Sequence, residues 1–578
     1  MERAIRRRVS LLVAVVFCIA AGIGIRLYHL QIVSCEELRA RATQQQQREV
    51  EVPATRGAIL DRQGRDLALS LKTKSLFAHP RRVTDPEAAA RLLAPIIGPS
   101  AREIKKRLQM DKTFVYLDRF LEPDQVEAIR GLALPIGENR PFGFLPSSKR
   151  YYPRGKLGVH VVGFASIDGV GVEGIEKRFD YELRGDSTVY LVLQDGLNGR
   201  VRQKTLTAPK KKPGDVILAI DLVLQHVVER ELDRAMRDTR AKAASAVLLD
   251  PVTGQVLALA NRPAADPNRY AGAAEQTRIN RAVVHQYEPG STFKVVTMAA
   301  ALENGKVRPA QRFDCEGGSY TFRRRRIRDS PPRGVLSASE VLEKSSNIGM
   351  VKIVNRLEKR ALHDMILDFG FGDRTGIELP GEVPGRLRPV SEWSAQSQPS
   401  LSFGYEIGVT VLQMASALSV VAADGIRVPP RLVLGVRDAG GRVRRFDPPT
   451  ASRVISSRTA RELTSMMEGV VLRGTGTRAK VEGYRLAGKS GTARKFVDGR
   501  YSDTEYVASF GGFGPLNSPR LVALVVIDTP QGDHSGGKVA APVFRRIMED
   551  ALSYVRAPRD EGAVILAGGR AAGARGSR

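Results

Sequence analysis

The chain has 578 residues, with 90 Lys+Arg against 62 Asp+Glu and a net charge of +28. At 42% hydrophobic and 26% charged it reads as a folded chain of roughly two to four domains, which excludes wholesale disorder. Its 3 cysteines form no C-x-x-C pair, and no H-E-x-x-H or H-x-x-x-H occurs; a disulfide scaffold is excluded and neither a metal centre nor a cofactor is expected. The basic surplus is not read as a nucleic-acid footprint, because aromatic residues make up only 6% and no binding module is recognisable. A dispersed basic surface suits an anionic neighbour such as a lipid headgroup, or is simply solvated.

The amino terminus comes first in chain order. Residues 1–8 form a basic tail with Arg3, Arg6, Arg7 and Arg8, and Val9 to Ile25 then holds no charged residue. At 1.5 Å per residue that stretch is about 26 Å long, enough for a membrane anchor. The arginines should hold the tail in the cytoplasm and send the remainder across the membrane. A cleaved signal peptide is the alternative, but no clear A-x-A site follows. Residues 26–48 read as a polar stalk, helical from Glu36 and carrying Gln44–Gln47. In an oxidising space Cys35 and Cys315 either pair or stay free.

Residues 49–214 alternate short apolar runs with Gly, Pro and charge, and predict a strand-rich domain. Its strand candidates include Gly57–Leu60, Leu67–Ser70, Val159–Phe164 and Thr188–Leu193, with a helical interlude over Pro86–Leu108. Lys210–Asp215 punctuates the chain, and a second domain is expected over 215–556. There the pattern predicts a strand at Val216–Ile220, a helix at Leu222–Arg240 and a hairpin of Ala244–Leu249 with Gln255–Ala260. Helical stretches follow over Ser291–Asn304, Ser337–Leu357 and Val409–Ala423. The closing strands are Tyr484–Ala493, Tyr506–Gly512 and Leu521–Ile527, the first two joined through the hairpin dipeptide Asp498-Gly499. Strands at both ends with helices between predict an α+β fold, an antiparallel sheet covered by helices. The Gly-, Ala- and Arg-rich tail, 557–578, is expected to be disordered.

Three short motifs carry the chemistry. Ser291-Thr292-Phe293-Lys294 opens a helix whose continuation is almost wholly apolar. Residues three apart share a helix face, so Lys294 can reach Ser291, and burial would leave it a neutral amine able to act as base. Alone, S-x-x-K recurs by chance and Ser291 could be an N-cap. Ser345-Ser346-Asn347 interrupts a helix begun by the capping box Ser337–Glu340. An inward Ser345 hydroxyl could pass a proton while the Asn347 amide holds Lys294; alone, this is an ordinary helix junction. Lys489-Ser490-Gly491-Thr492 lies on a strand. Gly491 would admit an extended ligand backbone, and Lys489 and Thr492 would grip a carboxylate. The N–H groups of Ser291 and Thr492 would form an oxyanion site.

In this order S-x-x-K, S-x-N and K-S-G-T are the set of penicillin-binding proteins and β-lactamases. The chain resembles a class B penicillin-binding protein over nearly its whole length after the anchor. Arg56–Gly64 is similar to the family's R-G-x-I-x-D-R-x-G opening of a non-catalytic pedestal, and Arg150-Tyr151-Tyr152-Pro153 with Gly171–Glu176 resembles its second signature. Asp250–Gly254, Asn280–Ala282, Ser402-Phe403-Gly404 and Ala540–Phe544 are further family-like stretches. The R-Y-Y-P form is similar to the division-specific (septal) subtype. Ser490 in place of Thr, Tyr405-Glu406 after Ser402–Gly404, and His534-Ser535 before Gly536 depart from the family pattern and bear on substrate preference.

The resemblance implies a β-lactamase/transpeptidase-like domain on a pedestal, and a peptidoglycan D,D-transpeptidase. Ser291 would attack the penultimate D-alanine of a stem peptide and expel the terminal one; an amine from a neighbouring strand would then complete the cross-link. Ser291, Lys294, Ser345 and Asn347 would be catalytic, and Lys489, Ser490, Gly491 and Thr492 would bind substrate. β-Lactams would acylate Ser291, and a membrane glycan polymerase and other division proteins would be partners. A carboxypeptidase or β-lactamase-type hydrolase shares the acylation half and stays open, as does a non-catalytic scaffold. A nucleic-acid binder would sit on the wrong side of the membrane.

Overall fold

The computed structural model describes residues 2–38, 47–52, 55–137, 140–186, 188–194, 201–207, 211–323 and 325–560. Positions 39–46 of the expected stalk and 561–578 of the expected tail lie outside the described residues. The first residues of that tail are held by the fold: Ala557 and Asp560 are buried, and Asp560 accepts from the Arg485 N–H at 2.7 Å.

The chain divides into two compact units. One gathers Met1–Thr55, Leu71–Lys149 and Gly185–Lys212; the other gathers Arg56–Ser70, Arg150–Arg184 and Pro213–Arg578. The first begins with a helix over Glu2–Tyr28 that continues as a wider turn over His29–Val33. It therefore extends past both ends of the uncharged stretch, since Arg and Glu are good helix formers at the flanks. Within it, Ile5–Val33 is long and apolar enough to cross a membrane, and none of it is buried. The same unit holds the helices Pro86–Leu93, Ala101–Leu108 and Pro123–Arg130 around Leu76, Leu93, Ile104, Leu117 and Phe142. It also holds an antiparallel sheet of Gln47–Val52, Thr188–Gln194 and Val201–Thr207.

The larger unit is built on a five-stranded antiparallel sheet in the spatial order 256–262, 243–249, 521–528, 500–514, 487–497. Every residue of Ala243–Leu249 is buried, so both faces of the sheet are covered. The period-2 pleat sorts the side chains. Ala244, Ala246, Leu248, Val525 and Ile527 pack with the helices Leu222–Thr239 and Ala541–Tyr554. Val247, Leu249, Val522, Leu524 and Val526 face the opposite core, with Leu412 and Leu418 of the fully buried helix Val411–Ala422. The fold is the α+β arrangement the sequence predicts. Asp498 and Gly499 take φ of 50° and 79°, the left-handed pair a tight two-residue hairpin needs, between Ala487–Val497 and Arg500–Gly514.

Two segments of the stretch 49–214 belong to this larger unit, and their signatures meet in one buried ion cluster. Arg56 and Arg150 both donate to the Glu176 carboxylate, at 2.5 and 2.7 Å, and Tyr152 Oη joins them at 3.1 Å. Arg56 also reaches Asp180, and Arg150 the Gly57 carbonyl. The strand expected at Val159–Phe164 is instead one helical turn, Val159–Val162. It is bracketed by Gly158 and Gly163 at positive φ, and a Cβ at Gly163 would fall 1.9 Å from the Glu173 carbonyl. Tertiary packing overrides the β-propensity of its valines.

Candidate active site

The serine turn is set first. Gly290–Phe293 is a 3-10 turn that leads straight into the helix Lys294–Glu303. The turn is held from behind: the Gly290 N–H donates to the Gly404 carbonyl at 3.1 Å and Thr297 Oγ1 to the Ser402 carbonyl at 3.0 Å. Gly404 sits at φ 82°, and a Cβ there would fall 2.2 Å from the Gly290 carbonyl, so only glycine fits. Ser291 is half-buried at the turn's surface.

Lys294 begins the helix and is 0% exposed. Its Nζ donates to the Ser345 carbonyl at 2.7 Å, to Asn347 Oδ1 at 2.7 Å and to Ser345 Oγ at 3.3 Å. Ser291 Oγ is not among these three acceptors: the S-x-x-K pair spans the junction of turn and helix without a mutual hydrogen bond. Burial disfavours the ammonium and brings the Lys294 pKa down to about 7, against the opposing fields of Asp329 and Cys315.

The second motif breaks the chain where the sequence placed the break. Ser337 and Glu340 form the capping box of helix Ala338–Glu343, and a new helix, Asn347–Val354, starts from Ser346. Between them Ser345 takes φ 61°, a left-handed conformation that costs a non-glycine residue energy. The strain turns its hydroxyl and carbonyl toward Lys294. Asp329, which motif spacing does not reveal, pins this turn: its carboxylate accepts from the Asn347 and Ile348 N–H groups and from Ser346 Oγ.

The third motif lies on Ala487–Val497, the last strand of the sheet, with no further strand paired to its outer side among the described residues. Lys489 is 0% exposed; its Nζ donates to Ser345 Oγ at 2.9 Å and to the Ser490 carbonyl at 3.0 Å. Burial and then repulsion from Lys294 push its pKa well below the usual lysine range. Ser490 Oγ shares a 2.7 Å hydrogen bond with Thr475 Oγ1 on the other face of the strand, and Thr492 Oγ1 accepts from the Gly536 N–H at 3.0 Å. The space above Gly491 is not left to a ligand. A Cβ there would meet Ser509 Oγ at 2.4 Å and the Pro289 carbonyl and Thr292 Cγ2 at 2.9 Å, so the glycine lets the serine turn approach the strand.

All three motifs therefore meet around the Ser345 hydroxyl. Beside them a cleft of about 440 Å³ is lined by Glu288, Arg386, Arg388, Glu406, Arg494 and Tyr501, among others. Glu288 was visible only as the approach to the serine. Its Oε1 accepts from the Glu406 N–H at 2.8 Å and Tyr501 Oη at 3.1 Å, tying the approach to the serine turn to a neighbouring loop and to strand 500–514, and burial raises its pKa. Cys315 and Cys35 are both free thiols.

Comparison with known proteins agrees with this architecture. The penicillin binding protein transpeptidase domain matches residues 244–549, and the penicillin-binding protein dimerisation domain matches residues 51–218. The chain belongs to the penicillin-binding protein transpeptidase family. Its relatives are of the class B type. It is 35% identical over 557 residues to a probable peptidoglycan D,D-transpeptidase PenA of Neisseria meningitidis, covering 95% of this chain and 93% of the relative. To the peptidoglycan D,D-transpeptidase FtsI of Escherichia coli it is 35% identical over 538 residues, 91% of this chain and 88% of that one. Among solved structures, penicillin binding protein 3 of Mycobacterium tuberculosis complexed with ampicillin superposes with a TM-score of 0.69 at 28% identity, over 89% of this chain and 98% of that one.

Proposed function

We propose that the chain is a peptidoglycan D,D-transpeptidase working through an acyl-enzyme on Ser291 during septum formation. In this reading a stem peptide ending in D-Ala-D-Ala lies as an added strand along 487–497. Lys294, as the neutral amine, takes the Ser291 proton while Oγ bonds to the carbonyl carbon of the penultimate D-alanine. The carbonyl oxygen takes the negative charge and faces the N–H groups of Ser291 and Thr492. Collapse breaks the peptide C–N bond, and Ser345 passes the proton from Lys294 to the departing D-alanine amine. An amine from a neighbouring stem peptide then attacks the ester carbonyl, giving its proton up to Lys294. The new amide forms and Ser291 leaves with its proton restored.

Asn347 holds Lys294 and the substrate backbone. Lys489 and Thr492 grip the terminal carboxylate, with Ser490 and Gly491 shaping the strand that presents them. Burial and then Lys294 disfavour the Lys489 ammonium, and the substrate carboxylate supplies a counter-charge that favours it. A β-lactam would acylate the same hydroxyl. The observation that carries the reading is that Ser345 Oγ accepts from both Lys294 and Lys489, which joins the three motifs at one atom.

The septal role is supported by the likeness to FtsI and by the Arg150–Pro153 signature. The exposed amino-terminal helix and its preceding arginines support a single-pass anchor in the inner membrane, with the amino terminus in the cytoplasm and the body outside. A membrane glycan polymerase and other division proteins are then the natural partners. The test is to supply detergent-solubilised full chain with a pentapeptide donor and a labelled amine acceptor. A labelled amide product that Ser291→Ala abolishes is expected; release of free acid alone would make it a hydrolase, and retained product in Ser291→Ala would refute the acyl-enzyme. Depletion in cells should give undivided filaments, whereas swollen cells that still divide would remove the septal assignment.

A further inference from the structure

Asp329 follows the hairpin strand Arg325–Arg328 and is 8% exposed. Its Oδ1 accepts from the N–H groups of Asn347 and Ile348, at 2.6 and 3.2 Å, and its Oδ2 accepts from Ser346 Oγ. One carboxylate thus binds each of the three residues that follow Ser345. The adjoining Arg328 carbonyl accepts from Asn347 Nδ2 at 3.0 Å, which leaves Asn347 Oδ1 aimed at Lys294. Asp329 makes no ion pair among the described residues, although it lies at the end of an arginine-rich segment. Its buried charge lies against the same turn whose Ser345 carbonyl and Asn347 Oδ1 contact Lys294.

We propose that Asp329 is a positioning residue: it fixes the Ser345–Asn347 turn against Lys294 and serves as the buried counter-charge to that lysine. The proposal rests on the reading of Lys294 as the base for Ser291. The charged and titratable groups facing Lys294 are Asp329, which favours its ammonium, Lys489 on the edge strand, whose own ammonium Lys294 opposes, and Cys315, whose thiol pKa burial raises so that it stays neutral. Cys315 belongs to the same network, since Ser346 Oγ contacts its Sγ at 3.3 Å. Two functions are thereby separable. The orientation needs an acceptor oxygen at 329; the counter-charge needs a carboxylate. Asp329→Asn keeps the oxygen for the two N–H groups, and its amide can donate to Ser346 Oγ, whose proton then turns toward Cys315.

The experiment is the pH profile of Ser291 acylation by a fluorescent penicillin, on full-length wild type, Asp329→Asn and Asp329→Ala, with thermal unfolding of each. Removing an opposite charge from a buried amine lowers its pKa by about one unit. The acid limb of Asp329→Asn should therefore move down by about that much, raising its rate at pH 6 relative to its own plateau by about fivefold. Asp329→Ala should show the same displaced limb and a plateau lower by about tenfold or more, because the turn is released as well. Acylation of Ser291 with superimposed limbs for wild type and Asp329→Asn would overturn the role of Asp329 alone. Failure of wild type to acylate Ser291 would overturn this inference together with the functional reading beneath it.

Discussion

Gly491→Ala is the most demanding test of how the serine turn and the edge strand are assembled. A single added methyl would lie 2.4 Å from Ser509 Oγ, 2.9 Å from the Pro289 carbonyl and 2.9 Å from Thr292 Cγ2. Ser509 can swing its hydroxyl away, and the Thr292 methyl can yield a little. The Pro289 carbonyl cannot, because it is backbone and already accepts from Thr292 Oγ1 at 2.8 Å. Restoring ordinary contact separates strand 487–497 from the serine turn by roughly 0.5–1 Å, a strain of about 1–3 kcal/mol. A displacement of that size at reacting groups costs about a hundredfold in rate. The assay is the second-order rate of labelling by a fluorescent penicillin, read beside the melting temperature. Gly334→Ala, where a Cβ meets nothing within 4 Å, is the control and should match wild type in both. Wild-type labelling by Gly491→Ala would refute the argument that this glycine exists for the approach of the turn.

Two further outcomes follow from buried charge. With the Lys294 amine titrating at about 7, the wild-type labelling rate should rise about tenfold from pH 6 to pH 8 and then flatten, measured by quenched-flow labelling; a flat profile would contradict a buried amine as base. Glu176→Gln leaves Arg56 and Arg150, both nearly inaccessible, facing a neutral amide, and should cost about 3–5 kcal/mol in denaturant unfolding. A loss below about 1 kcal/mol would show that water or Asp180 already compensates the two guanidiniums.

How much of this was legible depends on whether a residue's role is local. The hairpin dipeptide Asp498-Gly499 and the capping box Ser337–Glu340 declare themselves by spacing, and both form as read. The break at Ser345–Asn347 was legible because three polar residues interrupt an apolar helix. Val159–Val162 misled because β-branched residues prefer strands, while the flanking glycines and their packing impose a helical turn. The space over Gly491 was assigned to a ligand because the Pro289 turn that fills it is 200 residues away in chain position, give or take a few, and no local pattern announces such a contact. Asp329 was missed for the same reason: a lone acid after an arginine run has no spacing signature, and its three donors lie on another segment. The Arg56, Arg150 and Glu176 signatures were each visible, but their convergence on one carboxylate is tertiary information.

The central claim is that Ser291 is the nucleophile of an acyl-transfer centre assembled from Lys294, Ser345, Asn347 and Lys489. Its most direct test is to incubate the full-length protein with a penicillin, digest it, and locate the covalent adduct by mass spectrometry. The account predicts one acyl group per chain on the peptide carrying Ser291, absent from Ser291→Ala and strongly diminished in Lys294→Ala. An adduct on any other residue, or undiminished acylation of Ser291→Ala, would contradict it.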